Sequence, residues 1–240
     1  MTLTGKVAVV TGGSRGIGLA IARALVSRGA TVVITATSDA TLRAAADELM
    51  QTRESATVFP IRADVKRHDE MEQAIAGVVT RYGGLDIVVN NAGVGLFRAV
   101  ADMSVDEWRT IVDTNLSGVF YSCRAALPHL RARGGGWIIN ISSLASRHPF
   151  PEAAAYCASK AALNAFSEAL MQEVRYDGIR VACVMPGSVR TEFAARRSGS
   201  DHWRLSPDDV AQVVVDLIAH PSRSLPSSVE IRPSQPPKKG

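Results

Sequence analysis

The chain has 240 residues, 46% of them hydrophobic, enough for one sizeable core and too few for two domains of average size. Its apolar runs, such as 7–10, 87–89 and 138–141, are strand-length and far short of the about 20 residues of a membrane-spanning helix. The formal charge is +4, but the basic residues are scattered and form no stripe interleaved with aromatics, so neither nucleic acid nor membrane is an expected partner.

Met1 is followed by a short polar stretch and then directly by a strand. Without a charged-then-apolar leader, a cytoplasmic and unprocessed protein is expected. Residues 6–11 form an apolar strand run entering a glycine turn, and 17–28 has helical spacing of apolar residues. A β-branched strand at 31–35 and an Ala- and Leu-rich helix at 39–51 follow, with Ser38 or Asp39 as its cap. Then come a strand at 57–62 and a helix whose apolar face is Met71, Ala74, Ile75, Val78, Val79 and Tyr82.

The alternation continues with a strand at 85–90, a long helical region over 104–131, a strand at 137–142, a helix at 152–176 and a strand at 179–184. Pro207 opens a weaker helix at 207–219 after Ser206, and 229–231 adds a last strand. Residues 234–240, with Pro236, Pro237 and two lysines, read as a flexible tail beyond a single domain over 1–233. Apolar strands each followed by a helix predict an α/β fold, a doubly wound Rossmann-type parallel sheet of about seven strands covered on both faces. Ligands then belong beyond the carboxyl ends of the strands.

Chemistry-bearing residues fall at those ends. Gly12, Ser14, Arg15, Gly16, Ile17 and Gly18 lie between the first strand and first helix, where glycine permits a sharp turn and free helix N–H groups attract phosphate. The second strand ends in Thr35-Ala36-Thr37-Ser38 without the carboxylate that would hold an unphosphorylated ribose. Thr37 and Ser38 offer hydroxyls and Arg15 positive charge, which points to NADP(H) over NAD(H); against this, the two hydroxyls also suit capping of the next helix, and Asp39 adds negative charge. Tyr156 and Lys160, four residues apart, share one helix face, where an ammonium favours the phenolate and draws the tyrosine toward the working pH range. Ser142 and Ser143, at the end of the fifth strand, point to opposite sides, and either hydroxyl is a candidate for the substrate oxygen.

The Thr-Gly-x-x-x-Gly-x-Gly turn, Asn90-Asn91-Ala92-Gly93, Ile-Ser-Ser before Tyr156-Cys157-Ala158-Ser159-Lys160, and Pro186-Gly187 after it resemble the short-chain dehydrogenase/reductase family. They occur in that family's order over nearly all of residues 5–232. The resemblance is to its single-domain branch, nearest the 3-oxoacyl-carrier-protein reductase-like ketoreductases. It selects Ser143 by its thirteen-residue spacing to Tyr156, and adds Asn115 as holder of a water for the proton relay. It implies adenine contacts at Asp64 and Val65, ribose contacts at Asn91, Ala92, Gly93 and Lys160, and nicotinamide contacts at Pro186, Gly187, Val189 and Thr191. It further implies a homo-oligomer, tetramer or dimer, packed through 104–131 and 152–176, and a small carbonyl or alcohol substrate.

Within that branch, Ala182, Gln172 and the ending Val229-Glu230-Ile231-Arg232-Pro233 depart from the carrier-protein reductases, while Arg131, Arg133 and Arg175 leave positive charge near Gln172. A generic NADP(H) ketoreductase is the expectation. The alternatives are an NAD-linked sugar, polyol or alcohol dehydrogenase, and a non-catalytic NADP sensor. Phe97, Phe150, Phe193 and Trp203 would give an apolar or aromatic substrate pocket, with His148 as a further lining candidate. Cys123, Cys157 and Cys183 are odd in number and lack ligand spacing, so no disulfide or metal site is expected.

Overall fold

A computed structural model describes residues 1–192 and 202–236. The first half alternates β1 (Val7–Thr11), α1 (Gly16–Ser27), β2 (Thr31–Ala36), α2 (Asp39–Met50), β3 (Thr57–Arg62), α3 (His68–Tyr82) and β4 (Ile87–Asn90). The second half runs α4 (Val105–Val112), α5 (Gly118–Ala132), β5 (Gly136–Ile141), α6 (Ala154–Val174), β6 (Ile179–Pro186), α7 (Pro207–Ile218) and β7 (Ser228–Ile231).

The strands form one parallel sheet in the order β3-β2-β1-β4-β5-β6-β7, so the chain reverses its direction of travel between β1 and β4. Strand alternation builds two cores from one sheet. Ala8, Val10, Val89, Ile139 and Val184 pack beneath α1, α2 and α7 through Ile21, Leu42 and Val214. Val7, Val9, Val88, Ile138 and Val181 pack on the other side under α3, α5 and α6 through Ile75, Val119 and Leu163. Helices therefore cover both faces, and the carboxyl ends of β1 and β4 open a crevice at the reversal point. β3 is an edge strand, which is where Pro60 is tolerated inside a ladder.

Several element ends follow local chemistry. Ser38 caps α2 with Asp39 in its first turn, Ser104 and Glu107 form a capping box at α4, and Ser206 with Asp209 does the same at α7 behind Pro207. The expected single helical region at 104–131 is interrupted: Asp113–Ser117 is a π-helical turn between α4 and α5. Thr114 donates to the Thr110 carbonyl at 2.7 Å there, and the widened turn directs Asn115 inward to full burial.

Asp86 ties the amino-terminal edge of the sheet together. Only 3% exposed, it accepts from Lys6 Nζ at 2.8 Å, the Val7 amide at 3.0 Å and Arg133 Nε at 3.2 Å. Burial opposes the charge, but these donors outweigh it and hold the Asp86 carboxyl below its usual range.

Candidate active site

The glycine turn is built for an anion. Gly16 opens α1 at φ +54°, a left-handed conformation that side chains disfavour. At Gly18 an added Cβ would fall 2.3 Å from the Gly12 carbonyl oxygen, so only glycine lets the helix sit this close to the turn. Arg15 at the helix N-cap makes no side-chain cap, and the first turn carries no acid, leaving early N–H groups and the positive helix end facing the crevice. Asn91 clamps the turn from the far side of the reversal point, its Nδ2 donating to the Thr11 and Gly12 carbonyls at 3.0 and 3.1 Å. Thr11 Oγ1 returns the contact, accepting from the Asn91 and Ala92 amides at 3.0 and 3.1 Å. These features fit a dinucleotide pyrophosphate.

The remaining sequence-predicted cofactor residues lie at or after the ends of β3 and β6, on the same carboxyl edge of the sheet. The Asp64 carboxylate accepts from the Lys66 amide at 3.0 Å, while its own amide donates to Glu70. Val65 packs against Gly118 at the start of α5. Gly187 donates to the Ile231 carbonyl at 2.8 Å, and Val189 bridges to Leu205. Thr191 then lies over Gly16, within 3.4 Å of where a Cβ would stand.

At the end of β2, Ser38 Oγ is spent on its capping contact with the Thr41 amide. Arg15 is not held in reserve either: its Nη1 pairs with Glu192 at 2.7 Å, both side chains about three-quarters exposed. A residue missed in sequence, Arg62, reaches the same corner and donates through Nε to the Thr37 carbonyl at 3.3 Å. The signal for it was the strand register, which only the folded sheet reveals.

Beyond the ends of β4 and β5 the proton-handling groups converge. Ser142 turns inward and donates to the Lys160 carbonyl at 3.2 Å, whereas Ser143 faces the site and is hydrogen-bonded to Tyr156. Ser143 Oγ also accepts from the Ala145 amide at 3.1 Å, which fixes its orientation. Lys160, buried on the same helix face as Tyr156, donates from Nζ to the Ile141 carbonyl at 2.9 Å. Asn115 and Lys160 both approach Gly93, lying 3.2 and 3.5 Å from where its Cβ would stand. The Asn115 amide accepts from the Val94 N–H at 2.8 Å and donates to the Val94 carbonyl and to Ser159 Oγ at 3.0 and 3.1 Å. Ser159, inside the Tyr-x-x-x-Lys stretch, is the second residue that sequence reasoning left out.

The electrostatics differ from expectation. Burial pushes the Tyr156 phenol up, with the Ser143 hydrogen bond acting in the opposite direction. Lys160 Nζ is directed at the Ile141 carbonyl and lies 6.0 Å from the Tyr156 ring centre. Burial also lowers Lys160 itself, to about 8.

Of the expected pocket walls, Phe97 meets Tyr156 edge-on at 5.7 Å and Phe150 at 5.9 Å, both phenylalanines partly exposed. The Arg98 amide donates to the Glu152 carbonyl at 2.7 Å and joins the two loops that carry them. His148 instead lies 3.0 Å from Arg232, at an exposed ion-pair set with Glu230 and Arg147. Trp203 carries Arg204 over its ring, and Phe193 lies outside the described residues. The arginines expected near Gln172 are partly engaged, Arg131 with Asp177 and Arg133 with Asp86. The three cysteines are free thiols, and burial pushes Cys123 up to about 12.

A doubly wound sheet with an anion-receptive turn on one side of its reversal point and a Ser–Tyr pair on the other defines a dinucleotide-binding oxidoreductase fold. The chain belongs to the short-chain dehydrogenase/reductase family, whose model, described as short chain dehydrogenase, matches residues 6–201. An uncharacterized oxidoreductase of Staphylococcus aureus is 36% identical over 231 residues, covering 96% of this chain and 98% of that one. Among solved structures, a metagenomic short-chain oxidoreductase in complex with NADP superposes with a TM-score of 0.86 at 37% identity, covering 98% of this chain and 100% of the other. An alcohol dehydrogenase from the archaeon Thermococcus sibiricus, complexed with 5-hydroxy-NADP, gives 0.88 at 33% identity, with 98% and 99% covered.

Proposed function

We propose that this protein is an NADP(H)-dependent ketoreductase acting on a small carbonyl or alcohol, with Tyr156 as the proton-transfer residue. The observation that carries the reading is the hydrogen bond between Ser143 and Tyr156 at a strand end, beside a buried lysine and across the crevice from the glycine turn. A nicotinamide cofactor held at the glycine turn would supply or accept the hydride. Ser143 and Tyr156 receive the substrate oxygen between their hydroxyls and polarise it. Because burial keeps the phenol protonated, Tyr156 is in the form required to donate during carbonyl reduction. The relay that returns a proton to Tyr156 runs through Lys160 and a water held by Asn115, both side chains lying beside Gly93. Oriented acid and bound substrate together remove much of the entropic barrier.

NADP(H) is favoured over NAD(H) by the missing carboxylate at the end of β2, and two structural relatives are bound to NADP or a derivative of it. The Arg15–Glu192 pair does not oppose this, since exposed pairs of this kind contribute only about 0–1 kcal/mol and yield to a phosphate. The proposal extends to one domain over 1–233 with a tail at 234–240, in a cytoplasmic homo-oligomer. Part-exposed Phe120, beside Phe166 between α5 and α6, supports a contact between copies there.

The test is NADPH oxidation against ketones, aldehydes and 3-oxoacyl thioesters, with NADH in parallel. Turnover of a ketone with NADPH is the expected result. Tight NADP binding without turnover on any of them would replace the enzyme by a sensor.

A further inference from the structure

The register pairs Ala36, the last residue of β2, with Arg62, the last residue of β3. Arg62 thus stands beside the position where a ribose 2′ substituent meets the sheet in a doubly wound fold. Its Nε is used on the Thr37 carbonyl at 3.3 Å, which fixes the guanidinium plane. The side chain is exposed and pairs with no carboxylate among the described residues, leaving both terminal nitrogens as donors.

Local charge gives this arginine its weight. Arg15 is matched by Glu192, and Asp39 follows Thr37 and Ser38 at the start of α2. Among the described residues Arg15, Glu192 and Asp39 sum to one negative charge, which Arg62 balances. With it, a planar fork of N–H groups stands beside the exposed Thr37 and Ser38, a geometry suited to two phosphate oxygens at once.

We propose that Arg62 is a specificity-determining residue for the 2′-phosphate of NADP(H), contributing more to the choice than Arg15. The proposal rests on the NADP(H) reading above. It assigns Arg62 a role in binding the phosphate and none in the chemical step.

The experiment is a fluorescence titration of the full chain with NADPH and with NADH, together with displacement of NADPH by 2′-AMP and by 5′-AMP. It is run on the wild type, Arg62→Gln, Arg62→Lys and Arg15→Gln. Arg62→Gln should weaken NADPH and 2′-AMP by about 10- to 100-fold, the range of a charge-assisted hydrogen-bonded contact. NADH should change by no more than about twofold, as for other surface substitutions, and this also reports an intact fold. Arg62→Lys should fall between, and Arg15→Gln should lose less than Arg62→Gln. Two outcomes overturn the proposal separately from the cofactor reading: an unchanged NADPH/NADH ratio in Arg62→Gln, whether both nucleotides hold or weaken equally, or a larger loss in Arg15→Gln. A wild type that binds NADH as tightly as NADPH overturns the NADP(H) reading itself, and the proposal with it.

Discussion

Asn115 donates a hydrogen bond to the hydroxyl of Ser159, 3.1 Å away, joining the π-helical turn before α5 to the helix that bears Tyr156 and Lys160. Ser159 passes the contact on to the Tyr156 carbonyl at 2.8 Å. Asn115 also occupies both polar groups of Val94, so its one amide fixes the loop after β4 against α6.

Asn115→Ala should therefore lower both stability and turnover. Removing a buried side chain that satisfies a backbone N–H and a carbonyl costs about 2–3 kcal/mol. Asn115→Asp keeps an acceptor for Val94 but loses both donors, and should fall between the two in stability. Urea midpoints and kcat measured together test this; an alanine variant of unchanged stability would contradict the joining role.

Tyr156→Phe should retain NADPH binding and lose turnover by about 1000-fold or more, because the only atom removed is the proton-bearing oxygen. Ser143→Ala should lose less, about 10- to 100-fold in kcat/KM, since one of two hydrogen bonds to the substrate oxygen remains. Stopped-flow binding beside steady-state rates separates the two steps. Turnover retained by Tyr156→Phe would remove it from the proposed role.

The fold was largely legible because the strands are continuously apolar and the turns fall at strand ends, so that most elements lie within a few residues of expectation. Residues 57–62 and the Ser38 cap match throughout. The break at 113–117 was hidden because Thr114 and Asn115 disturb no apolar period; the π turn arises from where the Asn115 amide finds partners, on Val94 and Ser159. Inward Ser142 against site-facing Ser143 follows from strand alternation, and the sequence could expose that choice without resolving it from residues alone. Arg62 and the Arg15–Glu192 pair depend on contacts between distant segments, 25 and 177 residues apart, which no local pattern encodes. At Tyr156, spacing along a helix places Lys160 on the right face but says neither where its ammonium bonds nor that burial raises the phenol.

Asp86→Ala should destabilise the fold by about 2–4 kcal/mol, below the extreme for buried pairs because Lys6 and Arg133 are partly exposed and regain water. The native carboxyl is held below its ordinary 3.8, so its contribution is present above that pH and disappears as pH falls through the lower native value. Urea unfolding of wild type and variant near pH 7 and near pH 3 checks both statements. The gap between them should narrow in acid; a constant gap would mean that the charge is not what stabilises.

Lys160 gives the opposite dependence on pH. Burial holds it at about 8 in the native chain against 10.5 unfolded, so between those values the unfolded chain binds the extra proton. Stability from this residue must rise as pH increases from 8 toward 10.5, by about 3 kcal/mol across the full interval. Below 8 both states carry the proton, and the native state bears the whole penalty of a buried ammonium. Lys160→Met removes the titration without removing the bulk. The wild-type stability relative to that variant should therefore be lowest near neutral pH and climb in alkali, with other titrating groups cancelling in the difference. Parallel urea titrations of the cofactor-free proteins at pH 7, 8.5 and 10 would measure it, and a flat difference would show that Lys160 is not desolvated as its surroundings indicate.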